Sequence, residues 1–416
     1  MKRAPMLLST AILCLPMLSG CAGTERTDSG CSQATGLCVA ENGVLTKDGK
    51  PYKGIGVNYF NAFSRTLADP SDTSYRHGFD VLAEYEIPFV RFMAGGYWPI
   101  DNKLYLEDKE RYFELMDDFV KAAEERGIGL IPSLFWYHSN VPDLVKEPRN
   151  RWGDPESRTI AFMRRYVADV VGRYADSPAI WGWEFGNEYN LEQDLPNAAD
   201  HRPAIAGELG TATERSAEDD LTGDMVATAY RLFAEEVRKY DKHRVVISGG
   251  SIPRPSQWNQ RERGTFDQDT EEQFALALEE SNPDPLDVLS VHYYLYENTR
   301  FGAPLDTDKT LGLMQETARK LGKPLFIGEF GVGEAEEEGG LVDHELAARR
   351  FGELIEAMEK ADVPLAALWV YDYWSQKDWS VTGDNRRAYQ LRALQAWNGR
   401  LAEHNRREAE RHERRR

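Results

Sequence analysis

Two apolar runs of the sequence end in glutamates that can work as a pair. Trp181-Gly182-Trp183-Glu184-Phe185-Gly186-Asn187-Glu188 closes on an Asn-Glu step, and Leu325-Phe326-Ile327-Gly328-Glu329-Phe330-Gly331 presents a Glu at the end of its own run. Breaking a glycosidic bond passes through a cationic, oxocarbenium-like state. One carboxyl group must protonate the departing oxygen while a second stabilises or attacks the anomeric carbon. Two glutamates at strand ends supply both roles, provided the fold brings them face to face. A lone Glu at a strand end is as readily structural as catalytic, so the pair and its companions carry the reading.

The elements that would position them are visible along the chain. Eight apolar, strand-like runs lie near Gly54 to Asn58, Phe89 to Met93, Gly129 to Leu134, Ile180 to Glu184, Val245 to Ser248, Val288 to Val291, Leu325 to Gly328 and Ala367 to Val370. Between them are amphipathic stretches such as Lys109 to Arg126, Ser157 to Tyr174, Asp224 to Tyr240, Thr310 to Leu321 and Leu346 to Ala361. Strand followed by helix, repeated through one domain, is the α/β pattern of a (β/α)8 TIM barrel. Periodicity does not show closure, so a doubly wound open sheet stands as the alternative, without the glycine-rich dinucleotide loop that would support it. In a barrel, Glu188 and Glu329 end strands four and seven and emerge at the C-terminal rim, where barrel enzymes build their sites. The Asp48-Gly49 step between Val44-Leu45-Thr46 and Pro51-Tyr52-Lys53 predicts a tight hairpin capping the closed end.

Other residues fall on other runs: Arg91 after Phe89-Val90, His292 and Tyr294 in Val291-His292-Tyr293-Tyr294, and Trp369 on the eighth. With the two glutamates they make a set that resembles the clan A glycoside hydrolases, family 5 above all, from about Val39 to Trp397. The resemblance implies a retaining β-glycosidase that hydrolyses β-linked glucan or mannan-type chains by double displacement. In it Glu188 is the acid/base, Glu329 the nucleophile and Asn187 a partner of the sugar 2-hydroxyl. Arg91 and Tyr294 orient and stabilise Glu329, His292 tunes Glu188, and Trp369 forms the floor beneath the sugar at the cleavage point. The two carboxyl groups are then expected about 5 to 5.5 Å apart. A guanidinium lowers a neighbouring carboxylate's pKa and an apolar setting raises it, so the low value is expected on Glu329 and the high one on Glu188.

Trp98, Trp136, Trp258, Trp374 and Trp379 also follow strands and imply an aromatic-lined cleft, with Trp136 among the binding residues. The family often carries a His near the end of strand three, where a simple register puts Phe135, with His138 further on. A similar aromatic replacement occurs among mannan-cleaving relatives, which leans the substrate towards β-mannan over cellulose. The insertion from Tyr189 to Thr222 can wall the cleft and favour chain-end attack, and endo and exo action both stay open. A transglycosidase on the same scaffold, or a surface sugar-binding lipoprotein without turnover, is the alternative.

The remaining sequence sets compartment and partners. The chain has 416 residues, 41% hydrophobic, with a formal net charge of −19, which suits one large globular body and argues against nucleic acid as a partner. Lys2, Arg3 and the short apolar run Met6 to Leu18 read as an export signal spanning residues 1–20. Leu18-Ser19-Gly20-Cys21 resembles a bacterial lipoprotein box, which implies lipidation of Cys21 and membrane attachment outside the cytoplasm, at the outer membrane in a two-membrane bacterium. An ordinary signal peptide is the plainer reading. Residues 21–38 read as a polar tether, 39–403 as the catalytic domain, and 404–416 as a charged, solvated tail, for which contact with anionic lipid stays open with little in the sequence to support it. Cys31 and Cys38, close together in an exported chain, predict a small surface disulfide rather than a metal site, since two Cys cannot fill a zinc shell. The acidic run Glu334 to Glu338 reads as a solvated loop, its spacing matching no calcium loop. No cofactor or metal is called for.

Overall fold

The computed structural model describes residues 31, 34–295, 299–334 and 344–415. The export signal, the lipobox with Cys21, and residues 335–338 of the acidic run therefore lie outside the described residues. The described chain forms a TIM barrel. Its parallel strands are Gly54–Asn58, Phe89–Met93, Gly129–Phe135, Gly182–Gly186, Val245–Ile247, Leu289–Tyr293, Leu325–Phe330 and Leu365–Leu368. They pair in the order five, four, three, two, one, eight, seven, six. Every residue of these strands is buried, as expected where helices cover the outside and side-chain layers fill the inside. Helix Arg158–Tyr174 is typical of the cover: Ser157 caps it by accepting from Ile160 N at 3.1 Å, and Ile160, Met163, Val167, Val170 and Val171 make its buried stripe.

Strands five and six share no backbone ladder, and polar side chains stitch that seam instead. Val246 N donates to Asp287 Oδ2 at 2.7 Å and Asp287 N to Val246 O at 3.0 Å. Asn282 Oδ1 accepts from Ser248 Oγ at 2.7 Å and Ser290 N at 2.9 Å. Buried backbone groups that lack a strand partner thus find a side-chain one.

Two expected boundaries move. Leu37–Val39 is a strand, paired with Leu45–Lys47 and through it with Lys50–Pro51. Asp48 and Gly49 make the tight turn with φ of 51° and 75°. Leu37, Val39 and Leu45 pack on Phe89, Ile131 and Phe326 at the barrel's closed end, so the folded body begins before residue 39. The Cys31–Cys38 disulfide fastens this start, with Cys38 buried rather than on the surface.

At the other terminus, one helix runs Ala388–Arg415, through the boundary expected at 403. Its length follows from what it holds. Strand one meets strand two only at Val57 and Asn58, leaving earlier backbone groups open. Asn398 accepts from Ile55 N at 2.9 Å and donates to Ile55 O at 2.8 Å, and Asn405 does the same for Lys53 at 2.9 and 2.8 Å. Replacing Asn398 by Ala strands two backbone groups at the barrel's base. The expected loss is about 2–6 kcal/mol of unfolding free energy, at about 1–3 per orphaned group. Urea titration checks this, and a loss below about 0.5 kcal/mol would show that water replaces the amide.

Candidate active site

Arg91, on strand two, is fully buried inside the barrel mouth, and a charge there is tolerated only with partners on every side. Its Nε donates to both oxygens of Glu184 at 2.8 and 2.9 Å. Nη1 donates to Asn58 Oδ1 at 2.9 Å and Glu329 Oε1 at 2.8 Å, and Nη2 to Asn187 Oδ1 at 2.9 Å. The Trp136 ring covers the guanidinium at 4.4 Å. Tyr294 donates to Glu329 Oε2 at 2.8 Å, so both oxygens of that carboxyl are engaged.

Glu188 sits one step beyond strand four in left-handed backbone with φ of 55°, unfavourable for a residue with a side chain. Its N–H donates to Gly249 O at 2.8 Å, and Asn187 N–H to Trp136 O at 3.1 Å, which hold the turn. Only glycine fits at 249: φ is 74°, and a Cβ would lie 1.9 Å from Gly186 O. Gly249-Gly250-Ser251 is not a nucleophile elbow but the seat of Glu188.

His292 Nδ1 lies 2.9 Å from Glu188 Oε1 and 3.5 Å from Glu329 Oε1. Its Nε2 has no polar partner among the described residues, which favours the Nδ1–H tautomer, since an Nε2–H would be buried without an acceptor. One oxygen each of Glu188 and Glu329 and one nitrogen of His292 lie within 4.8 Å of one another. That spacing also suits a cation, but the Arg91 guanidinium on Glu329 already supplies positive charge and opposes a second one.

The carboxyl pKa order is the reverse of the one expected. Burial pushes Glu188 up, but donation from His292, the His292 charge, donation from Ser251 and the Arg91 charge together leave it below the ordinary value. Burial pushes Glu329 up further than His292 and Arg91 draw it down, and the facing Glu188 adds to the rise, so it lies above. Burial is the largest cause, and Arg91, which also faces the Glu184 carboxylate, offsets it only in part.

Around the carboxyls lies a cleft of about 490 Å³ lined by Phe60, Tyr97, Trp136, Trp369, Tyr373 and Gln376 among others. Trp369 donates its Nε1–H to Gln376 Oε1 at 2.7 Å and lies 6.2 Å from Trp136, 28° from parallel. Strand three is one residue out of phase with the sequence reading: Phe135 faces the helices, against Phe185 and Trp152, and Trp136 is the aromatic side chain in the cleft. His138 is buried away from it, 3.1 Å from Arg149. Of the other rim tryptophans, Trp379 buttresses Tyr294 edge-on at 5.5 Å, while Trp98, Trp258 and Trp374 do not line the cleft. Glu334 is not solvated: its side chain is buried and paired with Arg386, Arg387 and His344. The insertion after Glu188 leans on the rim through Arg215, which donates to Asp143 at 2.7 and 2.8 Å.

Residues 45–375 match the family model described as cellulase (glycosyl hydrolase family 5). The chain is similar to mannan endo-1,4-beta-mannosidase A of Podospora anserina, with 37% identity over 78 residues, 18% of this chain and 21% of that one. It is also similar to endo-1,4-beta-xylanase B of Paenibacillus barcinonensis, with 23% identity over 141 residues, 32% of this chain and 38% of that one. These matches therefore span well under half of either relative. In fold it is similar to a glycoside hydrolase family 5 mannosidase from Rhizomucor miehei, with a TM-score of 0.62, 14% identity, and coverage of 89% of this chain and 99% of that one.

Replacing Glu184 by Gln frees the Arg91 charge for Glu329 and so lowers that carboxyl's pKa. The acid limb of the pH–activity profile is expected to move to lower pH. Stability in urea should fall by on the order of 3 kcal/mol, because a buried pair has lost one member. An unmoved limb would mean that Glu184 does not set the charge on Glu329.

Proposed function

Because the chain belongs to glycosyl hydrolase family 5, the cellulase family, we propose that it is a retaining hydrolase of β-mannan-type chains that works by double displacement. The observation that carries this reading is the carboxyl pair itself. An oxygen of Glu188 and one of Glu329 lie within 4.8 Å, closer than the roughly 6.5–9.5 Å that an inverting site keeps for a water between its carboxyls. Glu329, held at both oxygens by Arg91 and Tyr294, attacks the anomeric carbon. Glu188 protonates the leaving oxygen and then takes a proton from the water that releases the sugar.

In the free cleft the carboxyl pKa values are shifted against this cycle, Glu188 down and Glu329 up, and substrate binding acts in the opposite direction. Glu188 is 29% exposed at its side chain and Glu329 is 6% exposed, so a sugar that expels water desolvates Glu188 more and raises its pKa. Glu188 and Glu329 face each other closely enough to titrate as a coupled pair. Once Glu329 is esterified its charge is gone, Glu188 becomes the stronger acid, and its carboxylate is then the base for the second step.

Asn187, fixed through its Oδ1 by Arg91, keeps its amide nitrogen for the sugar 2-hydroxyl, and Trp369 gives the sugar an apolar floor. Two observations support mannan over glucan: the names of the Podospora and Rhizomucor relatives, and Trp136 in the cleft near the strand-three position where family members often carry a His. Export and acylation at Cys21, placing the enzyme outside the cytoplasm, are supported by Lys2, Arg3, the apolar run to Leu18 and the small residues before Cys21.

The test uses chain lacking residues 1–21, with β-mannan, β-glucan and xylan as substrates and released reducing ends as the readout. Mannan is expected to be the best substrate, and glucan or xylan preferred by about tenfold would overturn the assignment. Glu188→Ala should lose roughly 10²–10⁴-fold in rate on natural chains, with azide restoring turnover of activated substrates to a β-azide. An α-azide, or no rescue, would contradict its role.

A further inference from the structure

The end of the barrel opposite the cleft is where the chain enters the fold and where it leaves. Cys31 is tied there to Cys38 on the first strand of the cap. The C-terminal helix is fastened there by Asn405 to Lys53, and continues to Arg415, about 15 Å further at 1.5 Å per residue. Between cap and helix lies a cavity of about 560 Å³ whose walls include Val44, Tyr52, Arg319, Lys323 and Arg411.

This end differs in charge from the rest. The chain carries −19, yet residues 406–416 hold six Arg against three Glu. Arg407, Arg411 and Arg414 recur at i, i+4 and i+7 and are exposed along one side of the helix. Arg411 and Arg414 pair with Glu408 and Glu410 of the same helix in exposed positions, pairs that water and salt weaken. Among the described residues the side chains of Arg319, Arg406 and Arg407 make no ion pair or hydrogen bond. Basic residues in a helix's last turn commonly answer its dipole, but Arg406 and Arg407 lie about two turns before Arg415, beyond that effect.

We propose that this closed end is a docking surface for an anionic lipid bilayer, gripped through headgroup phosphates by the arginine side of the C-terminal helix, so that the cleft opens away from the membrane. The proposal deepens the reading of Cys21 as an acylated anchor and rests on it for its setting. Ten residues separate Cys21 from Cys31, a reach of at most about 35 Å, so an anchor at Cys21 holds the closed end near the bilayer and leaves the rim outward. The phosphate-binding arginines and the entry of the tether share one face, and the acidic remainder of the protein is repelled from it.

The experiment uses unacylated chain 22–416, which keeps every described residue, sedimented with vesicles of phosphatidylcholine alone or with about a third phosphatidylglycerol. Binding is expected only to the anionic vesicles and is lost at about 0.5 M salt. Arg407→Ala/Arg411→Ala/Arg414→Ala should weaken it on the order of a hundredfold, at about fivefold per arginine, while the corresponding triple Lys variant keeps it. Hydrolysis and thermal unfolding should be unchanged in both. No salt-sensitive binding to anionic vesicles, or a triple Ala variant that binds as the parent does, overturns the proposal. The mass of full-length chain extracted from membranes reads acylation of Cys21 separately, so failure of either reading is told from failure of the other.

Discussion

A fully buried guanidinium organises the mouth of this barrel. Arg91 from strand two reaches Asn58 on strand one, Glu184 and Asn187 on and beyond strand four, Glu329 on strand seven and the Trp136 ring after strand three. A charge so placed costs several kcal/mol unless every donor is met, and its partners meet only when the strands carrying them sit side by side. Closing the barrel and assembling the cleft are therefore one event. The same contact bears on the chemistry, because Arg91 offsets part of the rise that burial imposes on the Glu329 pKa.

The second support comes from the seam between strands five and six, where side chains replace the ladder. Asn282 and Asp287 hold that edge. Gly249 and Ser251, just past strand five, fix Glu188, and His292 on strand six reaches both carboxyls. Glu188 thus leans on the seam that lacks a backbone ladder, while Glu329 lies on a strand paired on both sides. In the proposed mechanism that division suits a group that must gain and lose a proton opposite one that must hold still.

The strands are legible in the sequence because parallel strands buried on both faces read as unbroken apolar runs; Glu188, Glu329, His292, Tyr294 and Trp369 stand out at or near the ends of those runs, and Arg91 as a charge inside one. The same burial on both faces hides strand phase, which is why Phe135 reads in the place of Trp136. Glu184 looks like one polar letter inside an apolar strand, and its pairing with Arg91 depends on a contact between residues 93 positions apart, while the order of the carboxyl pKa values depends first on burial, which no local pattern reports. Gly249 is a site of close backbone approach that the sequence does not mark. The cap strand at Leu37 and the full length of the C-terminal helix depend on open backbone groups elsewhere, which no local pattern reports.

The central claim is that Glu329, held by Arg91 and Tyr294, forms the covalent bond to the sugar. A 2-deoxy-2-fluoro-β-mannoside with a good leaving group forms a slowly hydrolysed ester with such a nucleophile, and mass spectrometry of the digested protein locates it. The account predicts one equivalent of sugar on the peptide carrying Glu329. Label on the peptide carrying Glu188 instead, or no adduct while the inhibitor is turned over with inversion, would contradict it.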